Sequence, residues 1–128
     1  METIRAESES QAVAHVLIAD DHPLMREALR VLIASYADLR VVGVANNGAD
    51  AVKLARELRP HVVLMDFNMP IMDGTEATRA ICQETLGAKI VGMSVHPEAE
   101  RLMRQAGACA HVEKSDLMAD RHTNQNQG

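Results

Sequence analysis

Aromatic residues are nearly absent: the 128 residues include one Tyr, one Phe and no Trp. Any core must therefore be filled by Val, Ile, Leu, Met and Ala. Cysteine is equally scarce. Cys82 and Cys109 sit in separate segments with no CxxC or Cys/His spacing, which argues against a zinc site or a disulfide framework and points to free thiols in a reducing compartment. Positive charge is also in short supply: 13 Lys and Arg against 18 Asp and Glu leave a net charge of -5, a poor match for a phosphate backbone. No apolar run approaches the ~20 residues of a membrane span, and the polar start METIRAESESQA lacks a signal peptide's apolar block. The expectation is a cytoplasmic chain with no membrane contact and no direct nucleic-acid binding.

What remains is an ordinary globular composition, 47% hydrophobic and 24% charged, at a length suited to one domain. Residues 1–12 read as a flexible leader or linker, 13–120 as the domain, and 121–128 as a polar tail. Within the domain, short apolar runs alternate with helical periodicity. The runs are His15–Ala19, Val41–Val44, Val62–Met65, Lys89–Met93 and Cys109–Val112. Between them, apolar residues recur at helical spacing from Leu24 to Ile33 behind Pro23, from Ala51 to Leu58, from Thr75 to Thr85 and from Glu98 to Ala106. A short, stunted last helix is expected from Asp116. Strands so uniformly apolar need cover on both faces. The pattern predicts a doubly wound α/β domain, a five-stranded parallel sheet with helices on both faces; in the flavodoxin-like order 2-1-3-4-5 expected for it, strands one and three would be neighbours.

The polar residues that interrupt this pattern fall at one kind of place. Asp20 and Asp21 follow strand one, Asp66 ends strand three, Ser94 follows strand four and Lys114 follows strand five. In a parallel sheet these positions share the carboxyl edge, where ligands bind beside the point at which strand order reverses. Carboxylates gathered there repel one another and favour a proton or a metal. Oxygen ligands without Cys or His suit Mg²⁺, which keeps several waters and shares its shell with phosphate. A hydroxyl and a lysine on the same rim complete a set fit for phosphoryl transfer to a carboxylate. One Asp after a strand is usually a turn or cap residue; five residues of the right types on one edge are harder to assign to chance.

The segments VLIADDHPLMREAL, VVLMDFNMPIMDG, IVGMS and AHVEK, in that order, resemble the core motifs of response-regulator receiver domains, over about residues 14 to 118. The resemblance implies phosphorylation of Asp66, with Asp21 and Asp66 ligating Mg²⁺ directly. The Asn68 backbone carbonyl would be a third ligand, with Asp20 acting largely through water. It implies that Ser94 hydrogen-bonds the phosphoryl group, that Lys114 pairs with it, and that Met69-Pro70 and Asp73-Gly74 shape the loop, Gly74 lending backbone freedom. The implied donor is the phosphohistidine of a histidine kinase or a histidine phosphotransfer domain, in another protein or in the same parent chain; a weak homodimer is a further expected partner. No turnover of a free substrate is expected. The details are similar to receivers of helix-turn-helix regulators and to terminal receivers of hybrid sensor kinases, with the second group favoured. Two other readings carry less: an aspartyl-nucleophile phosphatase, which would want a DxD motif where Asp66-Phe67-Asn68 stands, and a degenerate receiver serving as a scaffold.

The sequence also departs from the family pattern. The interval from Ser94 to Lys114 is short, which should trim the loop after strand four or the helix that follows. His111 stands where an aromatic residue is usual, and Ser115 where many relatives have proline, so a trans Lys114–Ser115 peptide is expected. His15 and His61 read as exposed edge residues. His22 is expected to flank the metal crevice without ligating, and His96 either to tune phosphoryl loss or simply to be exposed. The eight Met are read mostly as core filler.

Overall fold

The computed structural model describes residues 12–84 and 87–117. Most of the leader at 1–12, the tail at 121–128 and the last helix beyond residue 117 lie outside the described residues. Five strands, β1 (Ala14–Ala19), β2 (Leu39–Ala45), β3 (Val62–Asp66), β4 (Lys89–Ser94) and β5 (Ala110–Glu113), form one parallel sheet in the order β2-β1-β3-β4-β5. Four helices alternate with them: α1 (Pro23–Ala34), α2 (Gly48–Leu58), α3 (Gly74–Gln83) and α4 (Ala99–Ala106). A helical turn over 114–117 follows β5 directly, so that Lys114 opens the turn and the helix starts two residues before the expected Asp116.

Side-chain alternation along the inner strands explains the two-sided cover. Leu17 and Ala19 of β1 and Val63 and Met65 of β3 pack with Ala51, Val52 and Ala55 of α2, Ile81 of α3 and Met103 of α4. Val16 and Ile18, on the opposite face, pack with Leu29 and Ile33 of α1, and Leu117 of the last turn closes over them. Burying one such side chain fully contributes about 1.5–3 kcal/mol. Aliphatic and sulfur side chains thus do the work that aromatics do elsewhere.

Helix starts are set by local chemistry. Pro23 opens α1, and Asn47 and Asp73 cap α2 and α3 by accepting the Asp50 and Glu76 N–H groups at 2.8 and 2.9 Å. Within the short Ser94–Lys114 interval, α4 has eight residues, the fewest of the four helices. Cys82 and Cys109 are free thiols, as expected. No described helix is long and apolar enough to cross a membrane.

Candidate phosphoacceptor site

Strand register brings the polar residues together. Ala19 pairs with Met65, so Asp20 lies across from Asp66; Asp66 pairs with Met93, so Ser94 is one step on; Ser94 pairs with Glu113, so Lys114 is one step further. Asp20, Asp66, Ser94 and Lys114 are all buried, although three of them carry ionisable groups. Asp66, Ser94 and Lys114 line the floor of a cleft of about 600 Å³ whose walls include Asp21, His22, Asn68 and His96.

Lys114 organises the floor. Its Nζ lies 2.8 Å from Asp20 Oδ2 and 3.0 Å from Asp66 Oδ1. Burial alone would lower the ammonium pKa, but the two carboxylates outweigh it and hold Lys114 above its ordinary value. Asp66 has the opposite balance. Burial, and then the Asp20 charge, push its carboxyl up from 3.8 to about 6 against the pull of Lys114. Its second oxygen, Oδ2, is buried with no hydrogen-bond partner among the described residues. An anionic acceptor atom in that position calls for a cation or an electrophile.

Asp20 is fully buried and does not line the cleft; its Oδ1 accepts the His22 N–H at 2.9 Å, and its backbone carbonyl accepts from Arg26 Nη1 at 2.9 Å. That placement suits an indirect role better than direct ligation. Asp21 is half-buried at the rim, and Asn68 is exposed along the same wall. Asp20, Asp21, His22 and Asp66 each offer one ligand atom, all within 4.8 Å of one another, so the cluster could hold a metal ion.

The loop from Phe67 to Asp73 fixes the Asp66 wall. The Phe67 N–H donates to the Met93 carbonyl at 2.8 Å, and the Gly74 N–H returns to the Phe67 carbonyl at 2.9 Å. Gly74 is needed for space rather than for the backbone freedom expected of it: φ there is not positive, but a Cβ would lie 2.0 Å from the Asp66 carbonyl oxygen. The unusual backbone belongs instead to Ile71, a β-branched residue held at φ 72 and exposed on the loop.

Ser94 is already engaged. Its hydroxyl donates to the His96 carbonyl at 2.7 Å and accepts the His96 N–H at 3.2 Å. His111 Nε2 lies 3.2 Å from the same oxygen. Because the one hydroxyl proton is committed to His96, the imidazole must donate, which places its proton on Nε2. Nδ1 is then a bare acceptor, buried without a partner among the described residues and backed by Gly92, where a Cβ would come within 2.8 Å of it. Burial lowers the His111 pKa, opposed by Glu100 and Glu113. His111 is thus drawn in toward Ser94. The Lys114–Ser115 peptide is trans, as are all described peptide bonds.

Asp20, Asp21, Asp66, Asn68, Ser94 and Lys114, the candidates read from sequence, lie at this edge, and their mutual contacts are what the sequence did not show. It missed that His22 Nδ1 approaches two carboxylates, 3.1 Å from both Asp20 Oδ1 and Asp21 Oδ1, and that Lys114 binds Asp20 as well as Asp66. Pro23, which restricts the backbone of His22, was the available signal for the first. His15 and His61 were expected as exposed edge residues; His61 is exposed, but His15 is half-buried and the two rings meet edge to face at 5.2 Å.

Comparison with known proteins agrees with the geometry. Residues 16–120 match the family model of the response regulator receiver domain. The chain is 45% identical over 102 residues to response regulator GacA of Pseudomonas aeruginosa, covering 77% of this chain and 47% of that protein. It is 36% identical over 107 residues to the transcriptional regulatory protein LiaR of Bacillus subtilis, covering 82% and 51%. The chain therefore spans about half the length of the curated relatives it matches. Among solved structures, the signal receiver domain of response regulator NarL from Mycobacterium tuberculosis superposes with a TM-score of 0.77 at 32% identity, covering 80% of this chain and 85% of that one. These relatives carry the names of response regulators and a transcriptional regulatory protein.

Proposed function

This chain belongs to the response-regulator receiver family of two-component signalling, and from that premise we propose that Asp66 is its phosphoacceptor. The observation that carries the assignment is Asp66 Oδ2, a buried and unpartnered carboxylate oxygen at the floor of an open cleft, with Lys114 fixed on the other oxygen. In the transfer, Asp66 forms a bond to phosphorus as the bond to the donor's imidazole nitrogen breaks. The donor is the phosphohistidine of a histidine kinase or a phosphotransfer domain.

The donor set fits Mg²⁺: Asp21 and Asp66 supply carboxylate oxygens, the Asn68 carbonyl is a candidate third ligand, and Asp20 stands behind. Such an ion would neutralise charge on the phosphoryl oxygens and relieve the repulsion that raises the Asp66 pKa. Lys114 would leave Asp66 to pair with the phosphoryl group while keeping Asp20. Ser94 would exchange its His96 carbonyl for a phosphoryl oxygen, and His111 would follow the freed hydroxyl. Output domains, the DNA contacts of a parent protein, a cytoplasmic setting and any homodimer belong to the same reading. A phosphatase acting on free substrates is not favoured, because Asn68 occupies the second acid's place of a DxD motif.

Acetyl phosphate with Mg²⁺ should add one phosphoryl group by intact mass, and Asp66→Asn should abolish the addition. Undiminished labelling of that variant would move the acceptor elsewhere.

A further inference from the structure

We propose that His22 is a nitrogen ligand of the Asp21–Asp66 cation site, so that the site takes borderline divalent cations such as Co²⁺ and Zn²⁺ more tightly than its oxygen ligands alone would. This rests on the reading that Asp21 and Asp66 hold a cation, and adds a ligand and a metal preference to it.

Lys114 uses one oxygen from each of the two buried acids, Asp20 Oδ2 and Asp66 Oδ1. Asp20 Oδ1 accepts the His22 N–H, and Asp21 Oδ1 and Asp66 Oδ2 are left over. The last of these is unpartnered in a side chain only 4% exposed, which marks the cluster as built for something it does not itself supply. His22 Nδ1 lies 3.1 Å from Asp21 Oδ1, and 3.1 Å from Asp20 Oδ1, the acceptor of its own N–H. Around an octahedral ion with bonds of about 2.1 Å, neighbouring ligand atoms lie about 3.0 Å apart and opposite ones about 4.2 Å apart. The 3.1 Å separation of His22 Nδ1 from Asp21 Oδ1 matches neighbouring positions of such a shell, and the Asp66 carboxylate belongs to the same cluster.

The ring is held in place by backbone rather than by a capping role. His22 is the residue before α1, extended at φ -97 and ψ 114 as the following Pro23 favours, and its side chain makes no capping hydrogen bond to the helix. Its own N–H is tied to Asp20 Oδ1 at 2.9 Å, which turns the nearer ring nitrogen, Nδ1, toward the acids. A single Nδ1 proton cannot serve both carboxylates equally, whereas a cation held between Asp21 and the ring leaves Asp20 to the His22 N–H. Coordination requires the Nδ1 lone pair, so the ring must carry its proton on Nε2; the side chain is 65% exposed, leaving that N–H free to be hydrated.

Imidazole adds affinity for Co²⁺, Ni²⁺ and Zn²⁺ and little for Mg²⁺, which selects hard oxygen ligands and retains water. His22 therefore sets a preference between metals, while Asp21 and Asp66 set whether any metal binds.

Calorimetric titration of the whole chain with CoCl₂ and with MgCl₂ tests this, alongside ¹⁵N NMR of the His22 ring with Zn²⁺ as a diamagnetic ligand. Co²⁺ should bind more tightly than Mg²⁺. His22→Ala and His22→Gln should each weaken Co²⁺ about tenfold or more, the scale of losing a ligand-sphere group, and change Mg²⁺ affinity by less than about twofold. Zn²⁺ should move the Nδ1 resonance to the metal-bound range while Nε2 takes the shift of a protonated nitrogen. Mg²⁺ binding with equal Co²⁺ affinity in wild type and both variants, or an unmoved Nδ1 resonance, overturns the role of His22 and leaves the Asp21–Asp66 site intact. No binding of either metal to wild type overturns both.

Discussion

The two ends of the sheet are made from the same strands and solve the same problem differently. At the amino end, the His15 N–H donates to His61 Nδ1 at 2.8 Å, the His61 N–H to the His15 carbonyl at 2.9 Å, and the Lys89 N–H to the His61 carbonyl at 2.9 Å. Each donor has an acceptor, the His61 and Lys89 side chains reach water, and no charge is buried. At the carboxyl end, Asp20, Asp66 and Lys114 are buried with two negative charges for each positive one, and an Asp66 oxygen has no partner among the described residues. Neighbouring strands therefore begin relaxed and end strained. The strain is what makes the carboxyl end receptive: a cation or a phosphoryl group supplies the charge balance that the chain leaves incomplete.

The sharpest way to break the contrast is steric. Gly74→Ala would put a Cβ 2.0 Å from the Asp66 carbonyl oxygen and 3.0 Å from the Phe67 Cα, both of them backbone. The start of α3 would have to move, at a cost of about 3 kcal/mol or more. Gly87→Ala, near the amino end, meets no atom within 4 Å and suffers only from its φ of 79, a penalty of about 1–2 kcal/mol. Urea denaturation compares the two directly. Equal losses would mean that the carboxyl end is no more tightly fitted than the other.

Next in size is the charge itself. Asp66 titrates at 3.8 when unperturbed and at about 6 in the fold, so its protonated form contributes stability that is complete below pH 3.8 and lost as pH rises through 6. The whole shift corresponds to about 3 kcal/mol. Asp66→Asn mimics the protonated state at every pH. Without metal it should be more stable than wild type by up to about 3 kcal/mol above pH 6, a melting shift on the order of 10 °C, with the gap closing toward pH 4. Mg²⁺ should stabilise wild type and have little effect on the variant. A variant that melts below wild type at pH 8 would show that Asp66 is held by Lys114 more than it is repelled by Asp20.

How much of this was legible beforehand follows from where each signal resides. Uniformly apolar runs such as Val16–Ala19 and Val62–Met65 mark strands covered on both faces, so the five strands and the carboxyl edge could be read from pattern. The strand order followed from the fold type rather than from the runs themselves. The acids Asp20, Asp21 and Asp66, with Ser94 and Lys114, could be read because chain position after a strand fixes the edge on which a residue lies. Pairings within the edge could not. That Lys114 spans Asp20 and Asp66, or that His111 reaches Ser94, depends on register between strands far apart in sequence and on side-chain reach. The space demanded at Gly74 was likewise hidden, since a glycine letter does not distinguish conformational need from close approach.

His111 sharpens the comparison on a smaller scale, because it titrates in the opposite sense to Asp66. Burial lowers its pKa from 6.5, so its contribution to stability is present above pH 6.5 and is lost as pH falls through the depressed value. Its imidazole should be neutral near pH 7 with the proton on Nε2, readable from ¹⁵N shifts. In His111→Phe the loss on the acid side should diminish and the Ser94 hydroxyl should lose a donor. A His111 ring that titrates at or above 6.5 would place it in water, away from Ser94.

The smallest effect belongs to the amino end and tests whether the two ends are independent. His61→Ala removes the acceptor of the His15 N–H and the edge-to-face ring contact. The site is exposed, so water can replace the lost acceptor, and the net cost should be that of one ordinary hydrogen bond, about 0.5–1 kcal/mol. Because the lost contact lies at the opposite end of β1 and β3 from Asp20 and Asp66 and involves no ion pair, the Mg²⁺-induced melting shift should match that of wild type. Differential scanning fluorimetry with and without MgCl₂ measures both quantities in one experiment. If the variant loses a large part of its Mg²⁺ response, strain at the carboxyl end is transmitted along the strands to the histidine pair. The sheet would then have to be treated as one mechanical unit rather than as a relaxed end and a strained one.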